Sequence, residues 1–261
     1  MMEENTHRWV VLLGGSSGIG LATARLFASK KFNLLIVHRD RRDRKEELSD
    51  INGQLTTQGN KVIWLNADAS LPNTIQLALD EISQADSKAR VSCLLHSIAR
   101  GNVKPLVNAD KVLSRQDFHV TADNMAFNLI DWTSEIHSHS LFEKHASIVA
   151  LTSEGSSRAI ANYAAVGVAK AALEAVCRSI AKEYAPFDIR CNVIQSGICI
   201  TPSFSMIPGH EELKSTAEKR NPSGRLTLPE DVANAIYLLS TPEARWITGT
   251  IIPVDGGESI S

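Results

Sequence analysis

A doubly wound, parallel α/β sheet is the fold this sequence predicts, on three observations. Seven short runs are almost wholly apolar, as strands covered on both faces must be. Stretches with helical periodicity alternate with those runs from one end of the chain to the other. A glycine-rich turn follows the first run directly, where such a sheet passes into its first helix.

Each element follows from that pattern. The strands are read at Trp9–Leu13, Asn33–His38, Lys61–Asn66, Val91–Ser97, Ser147–Thr152, Ile189–Gln195 and Ile251–Val254. The helices between them are read at Ile19–Ser29, Arg42–Thr57, Pro72–Ala85, Thr121–Phe142, Tyr163–Tyr184 and Pro229–Leu239. One segment breaks the rhythm. Thr201–Arg225 is rich in prolines and glycines and carries a short charged helix near Glu211–Lys219. A long irregular insert beside a strand end is usually functional, and this one is expected to be a lid over a substrate.

Composition narrows the function classes. The chain has 261 residues, 43% of them hydrophobic, and a formal net charge of -2. One domain of that length holds a large core without staples. Charges of mixed sign give no expectation of a nucleic-acid partner. Met1–Arg8 reads as a polar tail before a single domain over 9–261. That tail has no apolar signal core, and no apolar run in the chain reaches membrane-spanning length. Cys93, Cys177, Cys191 and Cys199 form no Cys-x-x-Cys pair. Buried thiols in a reducing, cytoplasmic setting are expected. The eight histidines show no ligand spacing with cysteine, so no metal site is expected.

The turn Gly14-Gly15-Ser16-Ser17-Gly18-Ile19-Gly20 lies between a clear strand and a clear helix. Glycines at 14, 18 and 20 let the backbone turn tightly and approach a pyrophosphate at the positive end of the helix. The second strand ends in His38-Arg39-Asp40. A carboxylate at the strand tip would suit NAD, but His38 stands there, and Arg39 follows with Arg41 and Arg42. Arginines favour a 2′-phosphate, so NADPH is expected over NADH, with Asp40 and Asp43 as counterweights. Asp68 ends the third strand and is read either as a cap on the adenine edge or as a turn residue.

Tyr163 and Lys170 stand seven residues apart. Many nicotinamide-dependent reductases pair the two four apart on a helix, but that place here is Val166, which has no proton to give. At about 100° per residue, seven steps return to within roughly 20° and four to within roughly 40°. A helical Tyr163 would therefore face the lysine from one turn further away. A conjugated carbonyl takes hydride at its β-carbon and gathers charge on a more distant oxygen, which suits a displaced donor. A ketone takes hydride at the carbonyl carbon itself and needs the donor closer. Lys170 would bond the nicotinamide ribose and lower the phenol's pKa. Thr201 and Ile200 leave a strand's carboxyl end, where they would meet the nicotinamide carboxamide. Phe204, Met206 and Ile207 form an apolar cluster suited to an acyl chain or to the core. Lys214, Lys219 and Arg220 would suit the acidic surface of a carrier protein, but they share their helix with Glu211, Glu212 and Glu218, and a solvated face is expected there.

From Trp9 to Gly257 the chain resembles the short-chain dehydrogenase/reductase superfamily. The matching residues are the glycine loop, Asp68, Asn128, Ser153, Lys170, Asn192, Gly197, Thr201 and Asp255-Gly256-Gly257. Leu13 and Ser196 depart from it, standing where threonine and proline are usual. His96-Ser97-Ile98, Arg158–Tyr163, Ala169–Ala175 and Ser196-Gly197 narrow the resemblance to bacterial enoyl-acyl-carrier-protein reductases, which use Tyr-x6-Lys. Retention of the superfamily's glycine loop and of Ser153 makes it most similar to their NADPH-using branch. The resemblance implies a cofactor pocket that includes Ala69, Ser97, Ile98 and Gly197. It implies Ser153 beside the substrate oxygen and Asn128 carrying a relay water, although a strand-end turn and a backbone bond also account for those two residues. It also implies an acyl thioester substrate, carried on acyl carrier protein or on coenzyme A, and a homotetramer. A carbonyl reductase or alcohol dehydrogenase of the same superfamily is the alternative, and a cofactor-binding regulator without turnover is the second.

Overall fold

The computed structural model describes residues 5–107 and 110–261, apart from the side chain of Arg42. Met1–Glu4 of the expected polar tail thus lie outside the described residues. Seven strands form one sheet: β1 (Arg8–Leu13), β2 (Asn33–His38), β3 (Val62–Asn66), β4 (Arg90–His96), β5 (Phe142–Thr152), β6 (Arg190–Ser196) and β7 (Ile251–Val254). Their order is β3-β2-β1-β4-β5-β6-β7, and every pairing is parallel. Among the described residues the eight α-helices are α1 (Gly18–Ser29), α2 (Lys45–Leu55), α3 (Pro72–Ala85), α4 (Arg115–Ala122), α5 (Asn128–Ser138), α6 (Ala164–Glu183), α7 (His210–Arg220) and α8 (Pro229–Leu239).

The strands are continuous in apolarity because both faces are covered. Alternate residues of β1 serve opposite cores. Trp9, Val11 and Leu13 pack with α3, α5 and α6, while Val10 and Leu12 pack with α1, α2 and α8. All four cysteines are buried and free. Among the described residues no helix is long and apolar enough to cross a membrane.

Two expected helices need correction. The stretch read as Thr121–Phe142 is α4, a π-helical turn over Asp123–Phe127 and then α5, and Phe142 opens β5 instead. Ser114 and Asp117 form a capping box that starts the segment at Arg115, earlier than apolar periodicity indicated. The helix read from Tyr163 begins at Ala164. Tyr163 is its N-cap, with φ -113° and ψ 5°, so the angular argument that placed it on the helix fails by one residue.

Trp132 of α5 is fully buried, and its indole N–H donates to the Ala69 carbonyl at 2.8 Å, tying the helix layer to the turn after β3. Trp132→Phe keeps an aromatic ring in the core but removes the indole N–H and part of the buried volume, stranding that carbonyl. It should cost about 1–3 kcal/mol in urea denaturation, and an unchanged midpoint would show that water or another donor takes the carbonyl.

Candidate functional site

The sheet order reverses between β2 and β4 on either side of β1, and the carboxyl ends of these strands open into a cleft. Its volume is about 900 Å³, enough for a dinucleotide and part of a substrate. The glycine loop forms one wall. Gly14 has φ +88°, and a Cβ there would lie 2.5 Å from the Ser97 carbonyl oxygen. A Cβ on Gly20 would lie 2.1 Å from the Gly14 oxygen. Only glycine lets β1, the tip of β4 and the start of α1 approach so closely. Ser17 caps α1 without a side-chain bond, and the first turn has no acidic residue. The positive helix end and its free N–H groups thus remain available to a phosphate. These features fit a nicotinamide dinucleotide.

Most of the sequence-derived residues meet here. Gly14, Ser16, Ser17, Gly18 and Ile19 line the cleft with His38, Arg39, Asp68, Ala69, Ser97, Ile98, Gly197 and Thr201. So do Ser153, Tyr163, Lys170, Phe204, Met206 and Ile207. Gly20 does not, because its part is the close packing beneath. Ile200 is 53% exposed and is not among the residues lining the cleft, whereas its neighbour Thr201 is. Phe204 is buried, whereas Met206 is 72% exposed, so the apolar cluster divides between an anchor and an open edge.

At the nucleotide end the charges pair internally. His38 Nδ1 lies 2.8 Å from Asp40 Oδ2, and Asp40 also binds Arg44, whose guanidinium donates to the Ser16 carbonyl at 3.2 Å. Asp40 is therefore turned into a clasp between the β2 tip and the glycine loop. Asp68 accepts from the Ser70 N–H and hydroxyl through Oδ1, and from Arg39 (2.6 Å) and Arg100 (2.8 Å) through Oδ2. Its turn role is thus present in the structure. Arg41 also lines the cleft and pairs with no carboxylate among the described residues.

At the other end, Tyr163 is seated by two local devices. Asn162 adopts the left-handed conformation at φ 62°, which asparagine tolerates, and turns the chain just before α6. Gly155 lies under the ring: a Cβ there would be 2.6 Å from it. The phenol oxygen then lies 3.3 Å from Ser153 Oγ. Burial raises the phenol's pKa, and the Ser153 contact pulls the other way. This corrects the expected lowering by lysine. The Lys170 ammonium is held 2.6 Å from the Leu151 carbonyl oxygen of β5, and burial brings its own pKa down to about 8. Val166 is buried in an apolar cluster with Ala122, Met125 and Ala169, so the place four before the lysine offers no donor.

Asn128 lies beneath the cleft, not in its lining, and its Oδ1 accepts from His96 Nε2 at 2.8 Å. His96 is fully buried, and its pKa is lowered to about 4 by burial first and by the Lys170 charge second. Sequence reading also missed Glu154, Arg158 and Arg220 as a group lining the cleft. Glu154 follows Ser153 directly, which was the one available signal. Arg220, expected on a solvated face, is instead bonded twice to Glu154.

A family model described as "Enoyl-(Acyl carrier protein) reductase" matches residues 14–259. A cis-4-hydroxycyclohexanecarboxylate dehydrogenase from Sinomonas cyclohexanicum is 29% identical, over 98% of each chain. An NADH enoyl-[acyl-carrier-protein] reductase from Enterococcus faecalis is 27% identical, again over 98% of each chain. The crystal structure of an NADH enoyl-[acyl-carrier-protein] reductase from Aquifex aeolicus VF5 has the same fold. Its TM-score is 0.85, with 24% identity and 99% of each chain covered.

The buried ammonium sets a pH limit. kcat/KM should fall as pH rises through about 8, where Lys170 loses its proton in the folded chain, and a profile level through that pH would remove the charge from the reaction. Gly155→Ala should push the ring off its seat and lower kcat on the order of 100-fold while cofactor affinity holds, as read by steady-state kinetics and fluorescence titration. Parent-like kcat would mean that the ring position is not critical.

Proposed function

We propose, from the premise that this chain belongs to the short-chain dehydrogenase/reductase family, that it is an NADPH-dependent reductase of a conjugated carbon–carbon double bond. The substrate class is an enoyl thioester, carried on acyl carrier protein or coenzyme A, in fatty-acid or related biosynthesis. The observation that carries this reading is the tyrosine's place: a donor at the helix N-cap, with buried aliphatic Val166 where a donor four before the lysine would stand.

The bound nicotinamide supplies hydride. Tyr163 and Ser153, whose hydroxyls lie 3.3 Å apart in the cleft lining, are placed to meet an enolate oxygen that gathers negative charge. The phenol, kept protonated by burial, donates to that oxygen. Lys170 holds a positive charge within the same wall and is placed to bond the cofactor ribose. Asn128, fixed by His96, holds the floor below it. Phe204 and Ile207 exclude water from the acyl side, and the segment over 201–225 acts as the lid. Asp68 and Ala69 border the adenine end.

NADPH is preferred over NADH because Arg41 lines the cleft at the β2 tip and pairs with no carboxylate among the described residues, with Arg39, shared with Asp68, beside it, while Asp40 is engaged by His38 and Arg44. A homotetramer is the proposed assembly. Phe127, Ile130 and Val168 are large apolar side chains left exposed around α5 and α6, as surfaces for a second copy would be. A cytoplasmic setting accords with four buried free thiols.

One observation favours a second reading, a carbonyl reductase or alcohol dehydrogenase. The Ser153 and Tyr163 hydroxyls lie side by side, 3.3 Å apart, as a pair that would also serve a ketone oxygen, and the Sinomonas relative is named a dehydrogenase.

Crotonyl thioester and acetoacetyl thioester, each offered with NADPH, separate the two readings. Cofactor oxidation with the first alone is expected, and oxidation with the second alone would overturn the assignment. Tyr163→Phe should reduce kcat on the order of 100-fold or more with NADPH affinity retained. Parent-like turnover would end the tyrosine's role.

A further inference from the structure

The lid helix is poorly anchored by apolar contact. Ala217 is the single buried residue of α7. What docks the helix is polar and lies at its C-terminal end. Arg220 donates to Glu154 Oε1 at 3.1 Å and Oε2 at 2.7 Å, and to Glu258 Oε1 at 2.8 Å. The other oxygen of Glu258, Oε2, accepts from the Ile198 N–H at 3.2 Å, in the turn after β6. Asn221, the C-cap, donates to the Asp255 carbonyl at 2.8 Å. Arg158 binds Glu154 from the exposed side at 3.1 Å. The Glu258 side chain is 4% exposed and that of Arg220 18%. One guanidinium thus joins three segments at the cleft: the residue behind Ser153, the lid, and the C-terminal turn.

Charges this sheltered lose hydration, and an apolar substitute of similar volume often gives equal stability. Bidentate arginine–carboxylate pairing does give a fixed geometry. Glu154 is adjacent to Ser153, so the pair couples the lid's position to the backbone that presents the serine hydroxyl. Burial pushes the Glu154 carboxyl up, but the two arginines outweigh it and hold the group below its ordinary value, so the pair is charged at neutral pH.

We propose that Arg220 and Glu154 are positioning residues: their ion pair, braced by Glu258, latches the lid over the cleft and fixes the loop behind Ser153. Neither residue carries the reaction. The latch bears on the backbone behind Ser153 through Glu154, and it operates whichever bond is reduced. Its failure would leave the enoyl assignment standing, and failure of that assignment would leave the latch intact.

The test uses the full chain with Arg220→Met, Glu154→Gln and the double variant. Three quantities are read: KM and kcat for the thioester that the parent turns over, NADPH Kd by fluorescence, and amide hydrogen exchange over 204–217. Each single substitution should raise KM about tenfold with NADPH Kd unchanged, and the double should be no worse than the worse single. Exchange across the lid should quicken, and Arg220→Lys should recover part of the loss. A folded single variant with parent KM and parent lid exchange would overturn the proposal, and so would losses that add in the double. If Arg220→Met does not fold, Glu154→Gln and Arg220→Lys carry the same comparison. If no thioester is turned over, lid exchange alone decides, with unchanged protection as the refuting result.

Discussion

The parallel sheet with β1 between β2 and β4 is the constraint on which the rest depends. All seven strands run the same way, so every strand delivers its next residue to the same edge. The chain leaves β1 and β4 toward helices on opposite faces, and a crevice opens between them. The glycine loop, the arginines after β2, Ser153 after β5 and Thr201 after β6 meet there because each follows a strand's carboxyl end. The requirement for glycine at 14 and 20 comes from the same geometry: the β4 tip and the loop's own carbonyl leave no room for a side chain.

A second constraint is desolvation at the inner end of the cleft. Lys170, His96 and Asn128 are all buried near one another's elements, and each is handled differently. Lysine keeps a backbone carbonyl as partner and a pKa near neutrality. Histidine is neutral and serves as a donor to Asn128. The phenol at the mouth stays protonated because burial opposes its anion. One charge at the bottom and neutral donors above it form an environment suited to an oxyanion that exists only during reaction.

Much of this was legible in the sequence. Asn33–His38, Pro72–Ala85, Pro229–Leu239 and Ile251–Val254 coincide with the observed elements, because apolar continuity and helical period are local consequences of burial. Less legible was the segment over Arg115–Ser138. A π-helical turn leaves no mark in apolar spacing, and the early start is set by a capping box. The ionic junction of Glu154, Arg220 and Glu258 was also hidden. Residues 38 to 104 positions apart came together, and pairwise charge in a sequence carries no address.

By itself the sequence determined the fold class, the tight glycine turn after the first strand and the seven-residue spacing of Tyr163 and Lys170, since each rests on chemistry contained within a few neighbouring residues. Only the tertiary structure decided that Tyr163 precedes its helix, that Thr201 lines the cleft while Ile200 is exposed, that Asp40 clasps Arg44, and that Arg220 is an internal anchor and not a solvated charge. These depend on backbone direction at loop ends and on partners from distant strands, which packing fixes and local pattern does not encode.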